Sequence, residues 1–115
     1  MYEQHIDHKV LSDLQEVMED GYLQLLQTFL EDSEKRLGQL HGAKDAHELG
    51  LAAHSFKGSS SNMGAVGLAA LCSLLEERVR QQPLYGIEDL INRIDREYVE
   101  VQRFYRDEHH RVSAE

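Results

Sequence analysis

A chain of 115 residues with one proline, Pro83, has almost nothing in it that stops a helix. Along most of its length apolar residues recur three and four apart, the period of one face of an α-helix. Five helical segments are expected on that basis. The first covers about residues 7–18, with Ile6, Val10, Leu14 and Met18 spaced by four. The second covers about 20–40, where Leu23, Leu26, Leu30, Ser33, Leu37 and Leu40 alternate by three and four, a bundle seam with one polar member. Tyr22 and Phe29 lie on the flank of this seam and either widen the core or expose an apolar patch. The third covers about 45–62 and ends at Met63-Gly64, glycine being favoured just past a helix end. The fourth covers about 65–82, with Leu68, Leu71, Cys72, Leu75 and Val79 on one face, and Pro83 stops it. The fifth covers about 87–107, carried by Ile87, Ile91, Ile94, Tyr98, Val101 and Tyr105, and the tail from His109-His110-Arg111 onward reads as frayed.

Four long amphipathic helices joined by short loops pack most naturally as an all-α, antiparallel up-down-up-down four-helix bundle, with the short first helix capping one end. The length fits a single domain, 1–115. Such a core closes within one chain, so a monomer is expected. Twelve Lys and Arg against twenty-one Asp and Glu give a net charge of −9, which disfavours nucleic acid and anionic membrane surfaces as partners. No run approaches the length of a membrane span, and Met1-Tyr2-Glu3-Gln4-His5 does not open a secretory leader. Cys72, the single cysteine, can form no internal disulfide and falls on the apolar stripe of the fourth helix, where it should be inert. The expected location is the cytoplasm.

The third helix carries the chemistry. On a wheel turning about 100° per residue, His54 shares its side with His47, Gly50, Leu51, Lys57, Gly58 and Ser61. Leu49, Ala52, Phe56, Ser59, Ser60 and Met63 fall on the far side, so His54 should face water. A neutral imidazole is a good nucleophile toward phosphorus, and the phosphoramidate it forms carries close to two negative charges. Lys57, at i+3, offers an ammonium as a point charge for those oxygens. Gly58, at i+4, leaves room beside the ring; a mid-helix glycine costs about 0.5–1 kcal/mol relative to alanine, which suggests a steric reason for it. Ser61, a further turn on, is a possible hydrogen-bond donor. The run Ser59-Ser60-Ser61 otherwise reads as small residues that bond back to carbonyls one turn earlier. Of the other histidines, His5, His8 and His41 read as solvated, His109 and His110 as part of a disordered tail, and His47 as a candidate rim residue two turns before His54.

The stretch Ala53-His54-Ser55-Phe56-Lys57-Gly58-Ser59-Ser60-Ser61-Asn62-Met63-Gly64-Ala65 resembles the signature of histidine-containing phosphotransfer (HPt) domains: His, any residue, an apolar residue, Lys, Gly, small residues, an apolar residue, Gly. The likeness extends to length, helix order, the acidic turn before the second helix and the Leu-Leu-Glu-Glu run of Leu74 to Glu77. It implies a free-standing bacterial phosphorelay intermediate with His54 as phosphoacceptor, Lys57 as supporting cation and Gly58 as clearance. The phosphoryl group would come from the receiver domain of a hybrid sensor histidine kinase and pass to the receiver domain of a response regulator. The resemblance implies no autonomous kinase activity and no cofactor of the protein's own; Mg²⁺ belongs to the partner receiver. Docking should be transient and small, with Met18, Tyr22, Phe29 and Leu51 as its apolar part and His47 at its rim.

Two other readings compete. One is the phosphoacceptor histidine domain of a larger kinase. It finds no G-x-x-x-x-G-K-[ST] and no glycine-rich nucleotide box, and Ser55 stands where kinase helices place an acid to orient the ring. The other is a structural or metal-binding bundle, but His54 has Gly50 and Gly58 at its i−4 and i+4 positions, and H-E-x-x-H is absent. No carboxylate partner for Lys57 is expected on its face.

Overall fold

The computed structural model describes residues 5–81 and 85–115. The expected stop at Pro83 and the residues before His5 lie outside that range. Five helices are present, α1 (His8–Met18), α2 (Gly21–Gly42), α3 (Ala46–Asn62), α4 (Val66–Arg78) and α5 (Ile87–Ser113), with no strand among the described residues. α2 packs on α3 and α5, and α4 packs on the same two, so the four long helices close into an up-down-up-down ring. α1 lies against α2. The bundle is 51 Å long and 24 by 21 Å across.

Local chemistry sets where helices begin. Asp7 caps α1 by accepting from the amides of Lys9 and Val10, and Asp45 caps α3 by accepting from Glu48 N at 2.8 Å. Glu48 reaches back to accept from Lys44 N, just before the cap, so the two side chains tie the chain's entry to the first turn of α3. The α3–α4 turn rests on Gly64 at φ +82°, a conformation that side chains disfavour. The segment before α1 lies on this turn: Asp7 N donates to Gly64 O at 2.7 Å and Gly67 N to His5 O at 3.3 Å. α1 is thus the expected cap on one end of the bundle.

The apolar stripes meet in one core, with three departures from expectation. On α2 the buried set is Tyr22, Leu26, Phe29, Ser33 and Leu40, while Leu23, Leu30 and Leu37 are only half-buried. The inward face is therefore rotated toward the flank. α5 is the cause: the Tyr105 ring stands edge-on to Phe29 with centroids 4.8 Å apart, and the Tyr22 hydroxyl donates to Glu108 at 2.7 Å. Ser33, the polar seam member, hydrogen-bonds the Tyr98 hydroxyl at 3.0 Å and donates to Leu30 O. Ile6, just before α1, and Leu11 on it are buried, Val10 and Leu14 partly so, and Met18 is exposed.

The second departure is the tail. His109, His110 and Arg111 continue α5 to Ser113 rather than fraying. Arg111 holds Glu108 at 2.8 Å and Glu115 at 3.0 Å and reaches Gln15 of α1, which ties this end to the bundle. The third is α4, which ends at Arg78, its last turn tightened by Arg80 N to Glu77 O and Gln81 N to Arg78 O. Cys72 is buried, and burial pushes its thiol up to about 12. No helix among the described residues is long and apolar enough to cross a membrane.

Candidate functional site

α3 turns Ala53 and Phe56 fully into the core and so turns His54 out of it. The imidazole is 65 % exposed. Its Nδ1 lies 2.8 Å from Glu76 Oε2 on α4, and the second oxygen, Oε1, accepts from Lys57 Nζ at 2.6 Å. Arg80, one turn beyond Glu76, brings its guanidinium to 3.5 Å from Oε2. The sequence-based expectation that Lys57 has no carboxylate partner is therefore corrected. So is the inference drawn from Ser55: the ring is oriented by an acid, supplied from the neighbouring helix instead of the adjacent position.

The carboxylate decides the ring's state. Its pKa lies below the ordinary value of 4.5, chiefly because Lys57 bonds to it and secondarily because His54 does, against the opposing effect of burial. An ionised carboxylate only accepts, so the proton shared with His54 sits on Nδ1, and the tautomer this selects for the neutral ring is the one with its lone pair on Nε2. Nε2 has no partner among the described residues. The arrangement can present a neutral, oriented nucleophile to an electrophile arriving from solvent, with an ammonium one turn away.

Two glycines flank His54 with different reasons for being glycine. A Cβ on Gly50 would meet Val79 Cγ2 at 3.2 Å, so Gly50 lets α4 approach α3. A Cβ on Gly58 would meet nothing within 4 Å. Packing inside the chain does not require glycine there, and the open space beside the ring is what the helical wheel predicts.

The remaining sequence-based candidates divide. His47 and Leu51 are exposed, Leu51 by 58 %, and line a groove with Gly50, His54, Glu76, Val79 and Arg80. Met18 is exposed at the end of α1 but lines neither groove beside His54. Tyr22 and Phe29 are buried against α5 and offer no surface, which corrects their assignment to docking. Ser61 is exposed, and its hydroxyl makes no hydrogen bond among the described residues. Ser59 bonds back to Phe56 O as expected, but the buried Ser60 hydroxyl finds no partner. His41 is exposed beside Asp95, and the His8 ring stands edge-on to Phe104. His5 is not solvated: its ring is 23 % exposed and bonded to Glu97.

Glu76 and Arg80 are the site members that sequence reasoning missed. A signal was present. Leu68, Cys72 and Glu76 are spaced by four, which places a carboxylate on the edge of the buried stripe of α4, facing a neighbouring helix.

A helical ring holding an outward imidazole over a carboxylate defines a class. The model of the Hpt domain family matches residues 24–104, and the chain belongs to that family, whose role is histidine phosphotransfer in two-component signalling. Among solved structures it is similar to the crystal structure of histidine-containing phosphotransfer protein B (HptB) from Pseudomonas aeruginosa PAO1. The two are 50 % identical, the match covers 93 % of this chain and 96 % of that one, and the TM-score is 0.89. No curated protein matches the chain.

Proposed function

We propose that this protein is a phosphorelay intermediate that accepts a phosphoryl group on Nε2 of His54 from a receiver-domain aspartate of a hybrid sensor kinase and passes it to the receiver domain of a response regulator. The observation that carries this reading is the Nδ1–Glu76 bond at 2.8 Å on a ring 65 % exposed, which leaves Nε2 the free nucleophile. Lys57 turns from Glu76 to the phosphoryl oxygens as their charge arrives, and Gly58 admits the group and the partner's loop. The receiver brings the aspartate and Mg²⁺, so this chain contributes position and charge rather than a cofactor. The partner seats on the groove walled by His47, Leu51, Val79 and Arg80, with Leu51 as its apolar contact. The soluble Hpt module acts as a monomer in the cytoplasm. The test is incubation with phosphorylated receiver domains, followed by mapping of acid-labile phosphate. Label on His54 is expected; acid-stable label, or label on another residue, would sink the proposal.

A further inference from the structure

We infer that the groove between α2 and α5, across the bundle from His54, is a docking site for an amphipathic helix of a partner protein. That helix carries carboxylates on its flank toward α5 and basic groups on its flank toward α2. The inference stands apart from the phosphoacceptor reading, because none of its residues lines either groove beside His54.

The packing order of the helices sets the place. α2 and α4 each pack on α3 and α5, so the α2–α5 groove opens on the opposite side of the bundle from the α3–α4 groove that holds the site. The two are alike in size, about 380 and about 390 Å³. Leu30, Glu31 and Glu34 line the first from α2, and Gln102, Arg106 and His110 line it from α5. Val99, 50 % exposed, stands on the same face of α5 one turn before Gln102 and extends the apolar strip begun by Leu30.

Two observations show that the chain leaves this groove unfilled. Glu34 and Arg106 have opposite charge and line one groove, yet neither forms an ion pair among the described residues. Elsewhere Lys9, Arg36, Lys57 and Arg111 each hold a carboxylate within 2.9 Å. Beside the groove, Glu31 is tied only to Gln27 of its own helix and Arg103 reaches only Glu100, at 3.8 Å. The second observation is Gly38, one turn beyond Glu34 on the same side of α2, where a Cβ would meet nothing within 4 Å. A mid-helix glycine costs helix stability. No contact inside the chain accounts for this one, and clearance for an incoming helix does.

The charges choose the occupant. A helix laid in the groove turns its apolar stripe to Leu30 and Val99. One flank then meets Arg103 and Arg106 and the other meets Glu31 and Glu34, so the complementary helix is acidic on one side and basic on the other. Nucleic acid, anionic throughout, would run against both glutamates and a chain of net charge −9. From Gln27 to Gly38 α2 advances about 16 Å, room for about three turns of a partner helix. A contact of that length is small and transient. It leaves His54 uncovered, so a partner can hold the module from behind while receivers exchange in front.

The experiment titrates ¹⁵N-labelled protein with synthetic helical peptides of about twelve residues that share one leucine stripe. The first has Glu on one flank and Lys on the other, the second Glu on both, the third Lys on both. The mixed peptide should shift the amides around Leu30, Glu34, Val99 and Arg106 and bind about tenfold tighter than the other two. Glu34→Lys should weaken the mixed peptide and strengthen the all-Glu one. Arg106→Glu should weaken the mixed peptide and strengthen the all-Lys one. Phosphotransfer at His54 should run as before with the mixed peptide bound. Equal affinity for the three peptides, variants that change all three alike, shifts confined to α3 and α4, or no shift at millimolar peptide would each overturn the inference. Groove shifts that follow protein concentration alone would overturn it too, since they would seat a second copy of this chain there.

Discussion

His5 and His54 each present Nδ1 to a glutamate, at 2.6 Å from Glu97 and 2.8 Å from Glu76, yet they sit in opposite surroundings. The His5 pair is a clasp. It joins the segment before α1 to α5, its ring is mostly covered, and the His5 carbonyl also accepts from Gly67 at the start of α4. The His54 pair joins two helices that already pack together, and its ring stands in water. Its carboxylate is shared with Lys57, and the helix beyond it opens at Gly58. A histidine–carboxylate pair is therefore not itself a transfer site. What distinguishes His54 is a second nitrogen left free, a cation within reach and empty volume beside the ring.

The largest expected effect breaks the comparison at its centre. His54→Gln should abolish acid-labile labelling by phosphorylated receiver domains, while His5→Gln should label as wild type; circular dichroism should show unchanged helicity in the first. Label persisting in His54→Gln would mean the two sites have been read the wrong way round.

Lys57→Ala comes next. Loss of about 1–3 kcal/mol of charge-assisted interaction corresponds to roughly five- to a hundredfold slower single-turnover transfer. Because Lys57 bonds Glu76 at 2.6 Å, some stability goes with it, about 1 kcal/mol, since His54 and Arg80 still hold the carboxylate. Lys57→Arg should restore only part of the rate. Gly58→Ala should slow transfer less, and it should leave folding intact or improve it by up to about 1 kcal/mol, since alanine is the better helix former. Gly50→Ala should do the reverse, lowering the melting temperature through the contact with Val79. Normal transfer with a bulky residue at 58 would remove clearance from the explanation.

Stability sharpens the contrast further. His5→Gln loosens the N-terminal clasp and should cost about 1–2 kcal/mol in denaturant unfolding. His54→Gln leaves Glu76 still bonded to Lys57 and should stay within about 0.5 kcal/mol. Equal costs would mean that His54 is as structural as His5.

The smallest effect is on pH dependence. Glu76, through Lys57 and His54, and Glu108, through Arg111 and the Tyr22 hydroxyl, both have pKa values below the ordinary 4.5. A carboxylate whose folded pKa is depressed contributes stability that is complete above the unfolded value and is lost as pH falls through the folded one. Melting temperature should therefore fall on acidification below about 4.5. Glu76→Gln and Glu108→Gln should each flatten part of that fall. A fall unaltered in both variants would place the acid-sensitive pairs elsewhere.

The features that were legible in sequence are those confined to one helix. Helix order, the outward angle of His54, the position of Lys57 and the void at Gly58 all follow from a 3.6-residue period. Those that were not depend on which helix lies alongside. Nothing local to Tyr22 and Phe29 says that Tyr105 and Glu108 will meet them, so they read as flank residues. Glu76 is 22 positions from His54, and its role is fixed only once α3 and α4 are side by side. The tail from His109 is polar in composition, and it is helical because Arg111 finds Glu108 and Gln15.

The turn through Met63, Gly64 and Ala65 has a consequence for the order of folding. It joins α3 to α4 directly, so the partners that define the site are separated by little chain: 19 residues from Lys57 to Glu76 and 22 from His54. The buried link between α2 and α5, Ser33 with Tyr98, spans 65. Closing a short loop costs less entropy than closing a long one, and local pairings form sooner. The α3–α4 hairpin should therefore belong to the folding nucleus and the α2–α5 pairing should come after it. Destabilising substitutions at Gly50 or Val79 should slow folding, whereas one at Ser33 should mainly hasten unfolding. The receptive imidazole and its carboxylate would then be in register before the rest of the bundle has closed behind them.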